Sequence, residues 1–333
     1  MNPARILDLA NAFWGSAALF AALDHGLFAV LASGPATAAE VAERKGLPLR
    51  STELLLDAVT ALGLLEREHG RYQNTPESIG FLVPGQPGSL AGALAYNARL
   101  FPAWARLGEA VASDAPIVGT PVYTGDDPTR TRAFVEGMHV RALGMGHGLV
   151  GAVDLSGKKH LLDVAGGPGT LSVLLCRRYP ELRATVLELP GIAAVGRELV
   201  AAQGMAERVV HRDADVISVG PGTDLGGGYD AALVSGLLHR EPADACKALL
   251  GRVREALDPG GVIYIVDVMR DQTRVGPPFA ALFALNMFLT SERGGCHADV
   301  DHVAWLEELG FTDAVITRPT PPMVHTVVRA TRA

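Results

Sequence analysis

The stretch from His160 to Cys176, His-Leu-Leu-Asp-Val-Ala-Gly-Gly-Pro-Gly-Thr-Leu-Ser-Val-Leu-Leu-Cys, constrains the chain more than any other. His160 to Ala165 is a short apolar run, the pattern of a buried strand. Glycines at 166, 167 and 169 then permit a sharp turn and let a ligand approach without Cβ atoms in the way. A helical pattern starts at once, so the free N–H groups of its first turn face that ligand. A second apolar run, Ala184 to Leu187, ends in Glu188. A carboxylate at the tip of the next parallel strand can take both hydroxyls of a ribose. Strand, glycine turn, helix and acid together predict a nucleoside-binding site. The nicotinamide dinucleotide pattern wants a third glycine where Ser172 stands. Asp163, inside the first strand, would repel a pyrophosphate and suits a cationic ligand.

The 333 residues suffice for two domains and a sizeable core. The net charge of −7 points to neither nucleic acid nor an anionic membrane as partner. Three cysteines, at 176, 246 and 296, form no CxxC pair and read as reduced thiols. The apolar stretch Trp14 to Ala32 carries Asp24 and His25, and Phe279 to Thr290 is too short to span a bilayer. With no signal-peptide pattern at Met1, a cytoplasmic protein is expected.

Residues 1–115 read as helical. Ile6 to Phe13 and Ser16 to Leu31 are rich in Ala and Leu, and Thr37-Ala-Ala-Glu40 predicts a capping box on a short helix that stops at Gly46. Leu49 to Leu65 is a further helix, and Glu66 to Tyr72 a hairpin turning at Gly70. Two helices and a hairpin in this order form a winged helix. DNA binding is disfavoured, because this region holds 8 Lys and Arg against 11 Asp and Glu and its would-be recognition helix carries Glu53 and Asp57. Dimerisation through the apolar helices is the expected use. Prolines and glycines across 116–128 mark the boundary, and Arg130 to Val153 is a helix leading to the next domain.

From residue 160 strands and helices alternate. Strands are predicted near 160–165, 183–189, 208–212, 229–235 and 261–268, with helices near 169–178, 191–203, 242–257 and 300–309. This predicts an α/β fold with a parallel sheet covered on both faces. Phe311–Arg318 and Met323–Arg329, joined by Pro319-Thr-Pro-Pro322, close it as an antiparallel hairpin.

The stretch Leu162-Asp163-Val-Ala-Gly166-Gly167-Pro-Gly169 resembles the S-adenosylmethionine-binding motif of class I methyltransferases. With the winged-helix front, Leu238-His239 and Gly294-Gly295, the chain resembles over nearly its whole length the dimeric small-molecule methyltransferases of plant and bacterial secondary metabolism. The resemblance implies a winged-helix dimerisation domain at 1–115, a Rossmann-like catalytic domain at 116–333 and a homodimer. It implies that Asp163, Gly166, Gly167 and Gly169 hold the methionine part of S-adenosylmethionine. Glu188 with Leu189 would take the ribose, Asp213 with Ala214 the adenine, and Ser235 the rim.

In the family's O-methyltransferases a His-Asp-Trp run supplies a histidine base, and His239 matches that histidine. Arg240 and Glu241 replace the Asp and Trp. A later Gly-Lys/Arg-Glu-Arg-Thr run supplies a Glu that orients the base. Here Gly294-Gly295-Cys296-His297 puts His297 in its place. Two imidazoles converging on one point are half of a metal site. A branch of the family, the α-keto acid β-carbon methyltransferases of nonribosomal peptide pathways, uses two histidines there to hold iron or zinc. On that resemblance His239 and His297 are expected to bind Fe or Zn, which stabilises a substrate enolate, with Arg240 pairing the substrate carboxylate. Cys296, Asp299, Asp267 and His302 are candidate third ligands. C-methylation of an α-keto acid is therefore the leading expectation. A metal-free O-methyltransferase with His239 as base is the alternative, and a non-catalytic dimer of the same fold the third reading. Tyr96, Phe101, Trp104, Met138, Met287 and Phe288 are the expected apolar substrate pocket.

Overall fold

The computed structural model describes residues 2–86, 88–118, 127–217, 224–318 and 323–333, in two compact units, 1–101 and 102–333. The first unit opens with α1 (Ala4–Asp24), α2 (Leu27–Leu31), α3 (Ala38–Lys45) and α4 (Leu49–Ala61). A hairpin of β1 (Leu65–Glu68) and β2 (Arg71–Asn74), α5 (Pro76–Phe81) and the start of α6 (Ala91–Ala105) complete it. The predicted capping box is present: Thr37 Oγ1 accepts from the Glu40 amide and Glu40 Oε2 from the Thr37 amide. The sequence marked two Ala- and Leu-rich helical stretches, Ile6 to Phe13 and Ser16 to Leu31. The structure instead runs one helix to Asp24 and breaks at Gly26, whose φ of 67° is left-handed. Leu27, Phe28, Val41, Leu56 and Tyr72 fill the core of this unit. On α1 the side chains of Ile6, Leu7, Leu9, Phe13 and Trp14 are all more than half exposed. Among the described residues α1 is the one helix that is long and apolar enough to cross a bilayer by length and composition.

The second unit begins, after α6, with α7 (Leu107–Ser113) and α8 (Pro128–Ala152). It alternates through β3 (His160–Val164), α9 (Thr170–Arg178), β4 (Arg183–Glu188), α10 (Pro190–Ala202), β5 (Val209–Asp213) and β6 (Tyr229–Ser235). Then come α11 (Ala243–Ala256), β7 (Leu257–Asp267), α12 (Pro278–Thr290), α13 (Asp299–Glu308), β8 (Phe311–Thr317) and β9 (Thr326–Arg332). The sheet order is β5-β4-β3-β6-β7-β9-β8, with β9 antiparallel to both neighbours. The predicted link Pro319–Pro322 lies outside the described residues, as does most of the predicted boundary at 116–128.

Alternation along each strand divides the core. Leu162, Val164, Ala232, Val234, Ile263 and Ile265 pack with α11 and α13, while Leu161, Ala231, Leu233, Tyr264 and Val266 pack with side chains of α8 and α9. Both faces are apolar, so the strands read as continuous hydrophobic runs. Strand order reverses between β3 and β6. A ligand crevice belongs there, at the C-terminal ends of the strands. Asp163, Glu188, Asp213, Ser235 and Asp267 all stand at those ends.

Leu162→Ala removes a fully buried side chain of β3 and should cost about 2–5 kcal/mol, whereas Thr37→Ala removes only a cap and should cost about 1 kcal/mol. Chemical denaturation of the two variants checks the order.

Candidate active site

The glycine turn is built on a buried carboxylate. Asp163 is 1% exposed and faces α9, where Ser172 Oγ donates to its Oδ2 at 2.6 Å. Ser172, which departs from the dinucleotide pattern, thus serves as the hydrogen-bond donor for this acid. Asp163 Oδ1 is buried and has no partner among the described residues. Burial, opposed by Ser172 and reinforced by the charge of Glu188, pushes the carboxyl up to about 7. A cationic group placed over the turn would satisfy the orphaned oxygen. Gly166 closes over this acid so tightly that an added Cβ would lie 2.4 Å from Asp163 Cγ. Gly167 and Gly169, and even Ala165, hold positive φ values of 56°, 71° and 53°.

Glu188, at the tip of β4, is buried. Its Oε2 accepts from the Gly167 amide and its Oε1 from the Leu189 amide, each at 2.8 Å. Burial raises its pKa against those two bonds. Each oxygen keeps a second lone pair for a ligand hydroxyl. The Ala214 amide donates to the Glu188 carbonyl at 2.9 Å, and Asp213 pairs with Arg197. Ser235 is half-buried at the tip of β6. The donor set fits S-adenosylmethionine, which combines a cationic amino-acid end with ribose hydroxyls.

His211 was given no role from sequence. It is buried on β5, and its Nε2 lies 3.0 Å from the Gly167 carbonyl, a contact in which the ring nitrogen donates. Burial, the largest cause, lowers its pKa, so the ring is neutral. Added Cβ atoms at Gly169 and Gly196 would approach that ring to 2.9 and 2.4 Å, which explains both glycines. His139 on α8 contacts Thr170 Oγ1 at 2.7 Å, at the start of α9. Nothing but linear distance hid these pairings.

A second cluster lies at the tips of β6 and β7. His239 sits in a short 3-10 turn, Leu238–Arg240, and its Nδ1 lies 2.5 Å from Asp267 Oδ1. The His239 amide donates to Asp267 Oδ2 at 3.2 Å and the Val268 amide to Oδ1 at 2.8 Å. Burial alone would raise the Asp267 carboxyl. The charge and hydrogen bond of His239, helped by His302 and His325, bring it below its usual value. An ionised Asp267 can only accept, so Nδ1 carries the proton and Nε2 keeps its lone pair. Phe283 packs edge-on against the imidazole, with centroids 5.0 Å apart.

His297 is held by partners other than His239. Its Nε2 donates to the Glu241 carbonyl at 2.8 Å, and its ring packs edge-on against Trp305 at 4.8 Å. The Gly295 amide donates to the His239 carbonyl and Ser291 Oγ to the Arg240 carbonyl, so this loop braces the turn through backbone groups. Among the described residues no group of three or more His, Cys, Asp or Glu is placed to hold a metal. Of the suggested third ligands, Asp267 holds His239, Asp299 pairs with Arg318, His302 donates to Ala298, and Cys296 is buried. The expected iron or zinc on His239 and His297 is thereby corrected: the two rings are held by different partners, Asp267 and the Glu241 carbonyl, and the described residues form no metal-binding cluster. The acid that orients His239 comes from β7. In sequence it shows only as an Asp closing the apolar run Val262 to Val266.

Of the expected pocket residues, Trp104 Nε1 donates to Asn286 Oδ1 at 3.0 Å, beside buried Met287 on α12, and Met138 is half-buried next to His139. Tyr96 and Phe101 lie on α6 in the first unit, Tyr96 under Arg99 and Phe101 edge-on to Phe20. Arg240 is half-buried in the turn that carries His239.

Asp163 has a folded pKa of about 7, above the ordinary 3.8, so the folded state binds more protons between those values. The stability that this proton provides is full below pH 4 and is lost as pH rises through 7. Thermal melts of the ligand-free protein should show this slope, and Asp163→Asn should flatten it.

Residues 104–312 match the O-methyltransferase domain family and residues 7–84 the O-methyltransferase dimerisation domain. The chain is 36% identical to a 3-hydroxy-5-methyl-1-naphthoate 3-O-methyltransferase of Streptomyces sahachiroi, over 99% of this chain and 96% of that one. It is 32% identical to an N,N-dimethyltransferase of Streptomyces rimosus, over 92% and 90%. The crystal structure of human N-acetylserotonin methyltransferase with S-adenosylmethionine superposes with a TM-score of 0.88 at 26% identity, covering 100% of this chain and 98% of that one. These matches overturn the expected C-methylation of an α-keto acid through a metal-bound enolate, and they agree with the donor geometry in doing so. The dimerisation domain supports a homodimer. The chain belongs to the O-methyltransferase family and is an S-adenosylmethionine-dependent methyltransferase.

Proposed function

We propose that the protein methylates a hydroxyl group on an aromatic small molecule, with His239 as general base and Asp267 as its positioning residue. The observation that carries this reading is the 2.5 Å contact between His239 Nδ1 and the buried Asp267 carboxylate. It fixes the tautomer and leaves Nε2 to accept a proton. S-adenosylmethionine supplies an electrophilic methyl group on its sulfonium. Asp163, Gly166, Gly167, Gly169, Glu188, Leu189, Asp213, Ala214 and Ser235 hold it. As the acceptor oxygen takes up the methyl group, its proton passes to His239 Nε2. Asp267 stabilises the imidazolium that results. Phe283, Met138 and Met287 supply apolar surface for an aromatic ring.

The kinship with an O-methyltransferase acting on a hydroxynaphthoate supports a fused or single-ring phenol as acceptor. An amine acceptor is the second reading, favoured by the N,N-dimethyltransferase relative. A neutral amine needs a base less than a phenol does, since its proton can leave after transfer. The dependence on Asp267 therefore separates the two. Residues 1–115 serve dimerisation and 116–333 catalysis.

Asp267→Asn should lower kcat by roughly 10²–10⁴-fold with little change in S-adenosylmethionine affinity. His297→Gln, which keeps a donor for the Glu241 carbonyl, should retain methyl transfer. Steady-state kinetics on phenol and amine acceptors, with the product identified by mass spectrometry, tests both. Equal loss at 267 and 297 would sink the proposal.

A further inference from the structure

The helix α8 crosses the rim of the cofactor crevice. Near its start, Val135 is fully buried with Ile192 and Val195 of α10, the helix that follows Glu188. One turn later His139 Nδ1 lies 2.7 Å from Thr170 Oγ1, on the first residue of α9 after the glycine turn. Two turns further, an added Cβ at Gly146 would lie 2.3 Å from Leu174 Cδ1. A seven-residue step returns a helix to the same side, so His139 and Gly146 share the face that lies on α9. The helix thereby passes the starts of both helices that leave β3 and β4, and His139 stands at the glycine turn.

His139 is half-buried, and burial lowers its pKa, so the ring is neutral. In a neutral imidazole one nitrogen donates and the other accepts. Thr170 is 1% exposed, and its hydroxyl meets Nδ1. A hydroxyl that donates to Nδ1 leaves the ring proton on Nε2. Among the described residues Nε2 makes no hydrogen bond, and it is open to a ligand. It stands where the first amides of α9 have no partner within the helix, an end that favours negative charge. Beneath the same turn, the buried Oδ1 of Asp163 has no partner among the described residues and suits a cation. A zwitterionic amino acid matches both ends, with its ammonium over Asp163 and its carboxylate toward α9 and His139.

We infer that His139 is a further cofactor-binding residue, donating from Nε2 to the carboxylate at the methionine end of S-adenosylmethionine. Thr170 is its positioning residue, because the hydroxyl holds Nδ1 and with it the tautomer. This rests on placing the amino-acid end of the cofactor over the glycine turn, and it is independent of which acceptor is methylated. His139 takes no part in removing the acceptor's proton, the role assigned to His239.

The test compares two probes, S-adenosylhomocysteine and S-adenosyl-3-thiopropylamine, which keeps the amine and lacks the carboxylate. Their binding to the full chain is measured calorimetrically, without acceptor, for the wild type, His139→Phe, His139→Gln, Thr170→Val and Asp163→Asn. The wild type should bind S-adenosylhomocysteine more tightly of the two. His139→Phe should cut that preference by roughly 10-fold, the loss of a hydrogen bond to a charged group. His139→Gln, which keeps an N–H donor, should restore part of it, and Thr170→Val should cut it by a smaller factor. Asp163→Asn should weaken both probes alike, since both carry the amine. A His139→Phe variant that weakens both probes equally would show that the ring only holds α9, and would overturn the inference. A wild type with no preference for the carboxylate overturns it as well. If Asp163→Asn leaves both affinities intact, the amino-acid end lies elsewhere, and the placement of the cofactor fails together with the role of His139.

Discussion

The catalytic end of this protein depends on one contact, the hydrogen bond between His239 and Asp267. A carboxylate buried at the tip of β7 is costly unless both of its oxygens find donors. Asp267 finds them in the His239 ring, the His239 amide and the Val268 amide. The same three donors fix the short turn at 238–240 and aim the imidazole. One acid therefore sets the position and tautomer of His239, the proposed base. Its own depressed pKa expresses the strength of that arrangement.

Asp163 presents the opposite case in the same sheet. It is equally buried, but among the described residues its one side-chain donor is Ser172. Its second oxygen is orphaned and its pKa is driven up rather than down. A satisfied acid and an unsatisfied one thus divide the labour. Asp267 has donors on both oxygens and orients His239. Asp163 is incomplete without one, and the glycine turn above it is where a cationic group would complete it. Glu188 ties the two ends of that turn by accepting from Gly167 and Leu189, and His211 braces it from below through the Gly167 carbonyl.

His297 shows how a motif can mislead. It occupies the place where related sequences carry an acid, and two histidines in matching motifs suggested a metal. In the folded chain its Nε2 is spent on the Glu241 carbonyl and its ring on Trp305. The orienting acid comes from a different strand. Position in a motif gave the location of the loop correctly, since Gly295 does meet His239, but it could not give the direction of a ring.

By itself the sequence determined the α/β order, the glycine turn with its flanking acids and the capped helix at Thr37, and it singled out His239. These are local features, written in periodicity, turn chemistry and short spacing, and local physics suffices to fix them. Only the tertiary structure decided that Asp267 accepts from His239, that His211 props the glycine turn, and that His297 faces a carbonyl. Each of these pairs joins residues at least 28 positions apart in sequence. Sheet register and helix packing bring such residues together, and the hydrogen bond that each side chain then makes is set by burial, which no linear pattern encodes.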